Sequence, residues 1–231
     1  MKIGIITAMS MEYDQLAQLL TDRKEETKGR HTYTVGALNG NELLLMKCGI
    51  GKVNAATGTT DFIRDYAPDC IISTGVAGGI DTCLGIMDVV VSDRLVYHDV
   101  WCGDGNAYGQ IQGLPLYLEA DPTLLACAKN LEGATRIHAG LICTGDKFIT
   151  DRSELDTIKQ AFPEGLAVDM ESAAIAQVCH LNHIPFISFR IISDTPGVKN
   201  HFDQYLNFWD TMADRSFGVT HAFLSALPDS L

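Results

Sequence analysis

Apolar residues along the chain fall into short, nearly continuous runs, separated by stretches whose apolar spacing is helical, and this alternation predicts an α/β fold. Lys2 to Thr7 reads as a buried strand, and Ala8-Met9-Ser10-Met11-Glu12 turns into a helix that buries Tyr13, Leu16, Leu19 and Leu20. His31 to Leu38 and Asn41 to Lys47 flank Asn39-Gly40, a pair favoured in two-residue hairpins, so these strands are antiparallel and the sheet is mixed. A helix is predicted from Asn54 to about Tyr66, a buried strand from Cys70 to Thr74, and strand-like segments over Met87 to Val91 and Arg94 to Tyr97. Pro122 to Lys129 is helical, Ile137 to Thr144 is a strand, and a helix opens at Asp151 and runs to about Phe162. Leu166 to Val168, an Ala-rich helix from Ser172 and the apolar run Ile184 to Ile192 form a βαβ unit. Thr195-Pro196-Gly197 then breaks the chain, and a polar loop with Phe202 and Tyr205 precedes a terminal helix from about Phe208 to Ala226. The apolar runs are evenly spread with no linker or repeat, which predicts one domain over residues 1–231.

Acidic residues stand where several of these strands end. Glu12, Asp146, Glu171 and Asp194 each follow a separate buried strand, and Asp169 closes the run that begins at Leu166. In open α/β sheets ligands bind outside the carboxyl ends of the strands, so Asp169, Glu171 and Asp194 are expected to border one crevice. Taken singly, each acid serves equally well as a helix cap or first-turn residue. Arg190, set inside an apolar strand, needs an anionic partner if it is buried. Gly49-Ile50-Gly51-Lys52 lacks the spacing of a phosphate loop, and Gly75-Val76-Ala77-Gly78-Gly79 lacks the dinucleotide fingerprint. The first is read as a tight turn that brings backbone close to a ligand or another helix, the second as a close approach of backbone N–H groups to an uncharged ligand. His98 to Leu116, Gly-rich and carrying Trp101, Tyr108 and Pro115, is read as a binding or partner-contact loop, although its aromatics serve equally as a satellite cluster.

Charge and cysteine usage narrow the chemistry. A net charge of −12 and a pI near 4.8 argue against nucleic acid, anionic membranes and polyphosphates as partners. Seven cysteines, odd in number and without any C-x-x-C pair, are the pattern of reduced thiols, and no metal site is suggested. The N-terminal apolar run is too short for a signal peptide and no stretch is long enough to span a bilayer, so a cytoplasmic protein is expected. An acid-rich crevice suits a polyol, a cation, or a transition state that develops positive charge. Glycosidic cleavage passes through such a state and uses paired carboxyls, which points to hydrolysis of a sugar derivative, with Mg²⁺-dependent chemistry as the alternative.

The same stretches resemble the purine nucleoside phosphorylase superfamily, and most closely its hydrolytic branch, the bacterial 5′-methylthioadenosine/S-adenosylhomocysteine nucleosidases. The carriers are Met1 to Ile6 with Ala8-Met9 and Glu12, Gly49-Ile50-Gly51-Lys52-Val53, Thr74-Gly75 with Ala77-Gly78-Gly79, Gly145-Asp146 with Phe148-Ile149, Met170-Glu171, and Arg190 with Ser193-Asp194. They cover nearly the whole chain. The resemblance implies a three-layer α/β/α sandwich around a twisted mixed sheet, a homodimer, a small nucleoside substrate and no cofactor. It implies that Asp194 protonates adenine N7, Glu12 activates water, Glu171 holds the ribose hydroxyls beside Met170, and Arg190 supports the water and carboxylate network. Phe148 would stack on the purine while the Ile149 backbone reads its edge; Met9, Ile50 and Phe202 would line the 5′ side, with Ala77, Gly78 and Ser193 also at the substrate. Asp169 stands where Glu is common in the family and Val76 where Ser is common, and the segment from Val100 to Leu116 matches poorly. Trp101 and Leu114 are expected to give that loop's apolar wall. Two alternatives remain open: a phosphorylase of the same fold, whose phosphate-binding arginines are missing after the first strand and before Gly75, and a nucleoside-binding protein without catalysis.

Overall fold

Side-chain alternation along the strands decides the layers. In β1 (Lys2–Thr7), Ile3 and Ile5 enter one apolar cluster and Ile6 the other. The same division holds in β4 (Asn41–Lys47), where Leu43 and Leu45 part from Leu44 and Met46, and in β10 (Phe186–Asp194), where Ile187, Phe189 and Ile191 part from Phe186 and Ile192. One face is covered by α2 (Lys52–Tyr66) and α5 (Ser172–Asn182), the other by α1 (Ser10–Ala17), α3 (Pro122–Lys129), α6 (His201–Met212) and α7 (Phe217–Ala226). Strands buried on both faces must read as continuous apolar runs, which is how they read in the sequence. The result is the expected three-layer α/β/α arrangement around a mixed sheet. This computed structural model describes residues 1–131, 135–195, 201–212, 217–228 and 230, without the side chains of 201, 202, 209–212 and 217.

The remaining strands are β2 (Thr21–Lys28), β3 (His31–Leu38), β5 (Cys70–Gly79), β6 (Val89–Tyr97), β7 (Leu118–Glu119), β8 (Ile137–Thr144) and β9 (Gly165–Asp169), with α4 (Arg152–Ala161) between β8 and β9. The order β10-β6-β8-β9-β5-β1-β4-β3-β2 carries a further pairing of β10 with β5, so the twist closes five strands into a ring. Within that ring β5 and β9 meet antiparallel only through their last residues, Gly78 opposite Val168 and Gly79 opposite Ala167. Gly78 also faces Asp194 across the parallel β5–β10 pair, while Thr144 of β8 faces Asp169. The carboxyl ends of β5, β8, β9 and β10 therefore converge on one spot. Ser193 is the extra residue of a bulge between Ile192 and Asp194, a device that re-aims side chains near sites.

Several boundaries differ from expectation for local reasons. Helix α1 stops at Ala17, and Thr21–Lys28, sequence TDRKEETK, forms the mostly exposed edge strand β2. Such a strand has no apolar face to announce it, and its charges guard an open edge. The two segments around Asp93 are one strand with a register shift between Ser92 and Arg94. The glycine run from Gly75 lies inside β5, and β10 extends through Asp194 itself. Phe202 and Tyr205 lie in α6, which begins at His201 ahead of the expected Phe208. The expected break at Pro196-Gly197 lies outside the described residues, as do residues 213–216 between α6 and α7. At the hairpin, Asn39 and Gly40 both have positive φ, 50° and 81°, as a type I′ turn requires.

Candidate active site

A cleft opens where these strand ends converge. Its walls include Ala8, Met9, Glu12, Ile50, Val76, Ala77, Gly78, Phe148, Ile149, Met170, Glu171, Ser193 and Asp194. Sequence reasoning therefore gathers three of its four proposed catalytic side chains and eight of its nine proposed binding residues at one cleft. Phe202 is the ninth; its side chain lies outside the described residues. Arg190 is the fourth catalytic candidate, and it stands behind the carboxylates rather than on the wall.

Glu12 sits in the first turn of α1, buried, with its carboxylate caught by three backbone donors. Oε2 accepts the N–H groups of Ala8 and Met9 at 3.0 and 2.9 Å, and Oε1 accepts that of Val76 at 3.1 Å. Glu12 is thus a first-turn residue of α1 and part of the cleft wall at once. A Cβ at position 75 would stand 2.6 Å from Glu12 Oε1 and 3.4 Å from Arg190 Nη1, so only glycine leaves room for both groups. Val76 contributes its backbone N–H to this cradle and brings no hydroxyl to it. Burial raises the Glu12 carboxyl above the usual range, against the opposing pull of the Met9 N–H and Arg190.

Arg190 finds the anion its burial demands. Its Nε donates to Asp169 Oδ2 at 2.7 Å, Nη1 to the Phe189 carbonyl at 3.1 Å and Nη2 to Ser73 Oγ at 3.0 Å. Asp169 Oδ1 accepts from Thr144 Oγ1 at 2.6 Å. One guanidinium is thereby spent on one carboxylate, while Glu12 and Glu171 share only its field. Glu171 accepts the Gly51 N–H at 2.9 Å, and burial, reinforced by the negative charge of Asp169, pushes its carboxyl up to about 7. Between pH 4.5 and about 7 the folded chain then holds a proton that the unfolded chain has lost, so this group's contribution to stability falls as pH rises through that window. Glu171→Gln removes the dependence. We expect the variant's gain in melting temperature over the parent to be larger at pH 8 than at pH 5; an equal difference at both pH values would refute the coupling.

Asp194 is buried at the end of β10, and Ser193 Oγ donates to its Oδ1 at 2.6 Å while lying 3.3 Å from the Ala77 carbonyl. Opposite, Phe148 is 44 % exposed and meets Tyr205 edge-on at 5.6 Å. Tyr205 directs its hydroxyl to Met9 Sδ at 3.8 Å. Tyr205, Ala8, Val168 and Lys147 line the cleft without having been singled out. Tyr205 carried no signal because it lies in a polar segment eleven residues past Asp194. Lys147, the one cationic residue on the wall among the described residues, is paired with Glu154. Asp146 departs from expectation: it is exposed, and its Oδ1 accepts the Lys52 N–H at 2.7 Å, so it caps α2 instead of lining the cleft. Trp101, 57 % exposed, and Leu114, in a separate surface recess with Ile111 and Pro115, also stay away from the cleft of their own chain.

The chain is similar to known proteins over nearly its whole length. Residues 2–225 match the family model of the phosphorylase superfamily. The chain is 43 % identical over 230 residues to the 5′-methylthioadenosine/S-adenosylhomocysteine nucleosidase of Chromohalobacter salexigens, covering 98 % of this chain and 97 % of that protein. It is similar to the solved S-adenosylhomocysteine nucleosidase of Streptococcus pyogenes in complex with 5-methylthiotubericidin, with a TM-score of 0.93, 41 % identity, and 99 % and 98 % of the two chains covered. It is equally similar to the 5′-methylthioadenosine/S-adenosylhomocysteine nucleosidase of S. pneumoniae with the transition-state inhibitor MT-ImmA, at TM-score 0.93, 38 % identity, and 99 % and 100 % coverage.

Proposed function

The chain belongs to the phosphorylase superfamily, among its 5′-methylthioadenosine/S-adenosylhomocysteine nucleosidases, and on that footing we propose that it hydrolyses the N-glycosidic bond of these two nucleosides to release adenine. The observation that carries this reading is the cleft wall itself: it gathers buried carboxylates, while the one buried guanidinium among the described residues is held by Asp169. Phosphate placed beside Glu12 would meet like charge, whereas an oxocarbenium-like centre would be stabilised there. Water is therefore the nucleophile.

In this reading the C1′–N9 bond breaks with its electrons going to the purine, and Asp194 gives a proton to N7. Ser193 Oγ donates to Asp194 Oδ1 and so orients the carboxyl at the end of β10. Water adds to C1′ and passes its proton to Glu12. Glu171 binds the ribose hydroxyls beside Met170, Phe148 and the Ile149 backbone hold the base, and Met9, Ile50 and Tyr205 border the 5′ substituent. Arg190 acts through Asp169 and through its field on Glu12 and Glu171.

The enzyme is further proposed to be a cytoplasmic homodimer. Ile50 on the cleft wall, and Val53 and Trp101 elsewhere, all more than half exposed, offer apolar surface to a second copy, and the thiols of the seven cysteines are unpaired. No helix among the described residues is long and apolar enough to cross a membrane. The test is adenine release from 5′-methylthioadenosine, S-adenosylhomocysteine, adenosine and inosine, with and without phosphate, beside a solution mass. Phosphate-independent release from the thio-nucleosides is expected; release that requires phosphate would make the chain a phosphorylase, and no release a binding protein. A fully active monomer would remove the dimer.

A further inference from the structure

The end of β6 grips two of the loops that build the cleft without touching the cleft itself. The His98 N–H donates to the Thr144 carbonyl at 2.9 Å, and the imidazole lies on Gly145 so closely that a Cβ there would meet its Cε1 at 2.4 Å. Asp99 follows. Its Oδ2 accepts the Asp146 N–H at 2.8 Å, and both of its oxygens accept from Lys52 Nζ at 2.8 Å. Lys52 and Asp146 are joined a second time, backbone N–H to Oδ1 at 2.7 Å. Three segments distant in sequence, at 51–52, 98–99 and 145–146, are thus closed into one ring of charge-assisted bonds. The Lys52 and Asp99 side chains are only 22 % and 28 % exposed, so solvent competes weakly for them.

What hangs from this ring is the substrate side of the cleft. Gly51, one residue before Lys52, donates to Glu171 Oε1 at 2.9 Å, and Ile50 beside it lines the wall. Phe148 and Ile149 follow Asp146 on the same short loop. Asp194 and Glu12 are held elsewhere, by the β10 bulge, the α1 turn and the Val76 N–H. We propose that Asp99 is a positioning residue, which through Lys52 and Asp146 sets the base-holding loop and the Glu171-holding turn at their working distance from the two groups that do the chemistry. The inference rests on the roles given above to Phe148, Ile149 and Glu171.

That division gives Asp99 a kinetic signature. Losing the ring loosens base and ribose binding but leaves acid and water activation in place, so affinity should suffer and turnover should not. For the full-length enzyme acting on 5′-methylthioadenosine, Asp99→Ala is expected to raise KM and the Kd for adenine about tenfold, the value of one charge-assisted bond, while kcat falls less than about threefold. Asp99→Asn keeps an acceptor for the Asp146 N–H and should fall between the two. Lys52→Met, which leaves the Asp99–Asp146 contact in place, should raise KM in the same direction but by less, and the Lys52→Met/Asp99→Ala double variant should be no worse than Asp99→Ala alone, since Asp99→Ala already removes the Lys52 connection. If Asp99→Ala does not fold, Lys52→Met carries the same test. KM within about twofold of the parent, kcat falling as much as KM rises, or additive effects in the double variant would each overturn the proposal. Should the parent prove not to hydrolyse nucleosides, the adenine Kd series still decides the role of Asp99, so the two failures are distinguishable.

Discussion

Asp194→Asn should lower kcat for adenine release from 5′-methylthioadenosine by roughly 10²- to 10⁴-fold, the usual worth of a positioned general acid. Asparagine matches aspartate in shape and can still offer an N–H to N7, so the nucleoside should bind with an affinity within about threefold of the parent. It has no proton to give. Adenine must then depart as an anion, and the loss appears in the transition state alone, as a fall in kcat and kcat/KM together. Calorimetric binding of 5′-methylthioadenosine to the slow variant and single-turnover release would separate the two quantities. A ribosyl substrate with a 4-nitrophenolate leaving group supplies a control, because that group leaves without protonation and should be spared most of the loss. Turnover of the natural nucleoside within about tenfold of the parent would sink the assignment of Asp194 as the acid.

The ease with which Asp194 was found in the sequence has a physical cause. A carboxylate at the end of an apolar run as continuous as Ile184 to Ile192 lies either at a strand end or in a site, and the convergence of strand ends in the closed ring makes these the same place. Glu12 and Glu171 were legible for the same reason. Asp146 satisfied the same rule and went instead to the N-terminus of α2, because a helix with Gly51 before it has no side-chain cap of its own. Buried strands announced themselves by apolar continuity, whereas β2, charged along its length, lacked any such signal. The three N–H groups around Glu12 were equally hidden, since backbone donors belong to every residue and only the register of β1 and β5 brings them together. The ring through Asp99 depended on three segments meeting in space, and nothing local to any of them marks it.

Those hidden donors make Glu12→Ala the second variant with a large expected effect. Removing the carboxylate leaves the N–H groups of Ala8, Met9 and Val76 aimed at an empty, buried space beside Gly75, with the Arg190 guanidinium close behind. Without a base the attacking water keeps its proton, and kcat should fall by roughly 10²- to 10⁴-fold. Stability is contested by two effects: unsatisfied donors cost about 1–3 kcal/mol each when water does not replace the carboxylate, but a buried group whose ionisation is disfavoured is also removed. The gap opens toward the cleft, so water reaches the donors and the net change should stay small. A carboxylate-sized hole lined by three N–H groups is also a seat for formate, which is flat, anionic and basic. Formate at tens of millimolar should therefore restore at least about tenfold of the lost rate in Glu12→Ala and do nothing for the parent enzyme. Rescue by formate with no rescue by chloride would identify the missing element as a base and not merely a charge. Glu12→Ala turning over within about tenfold of the parent would place water activation on another group.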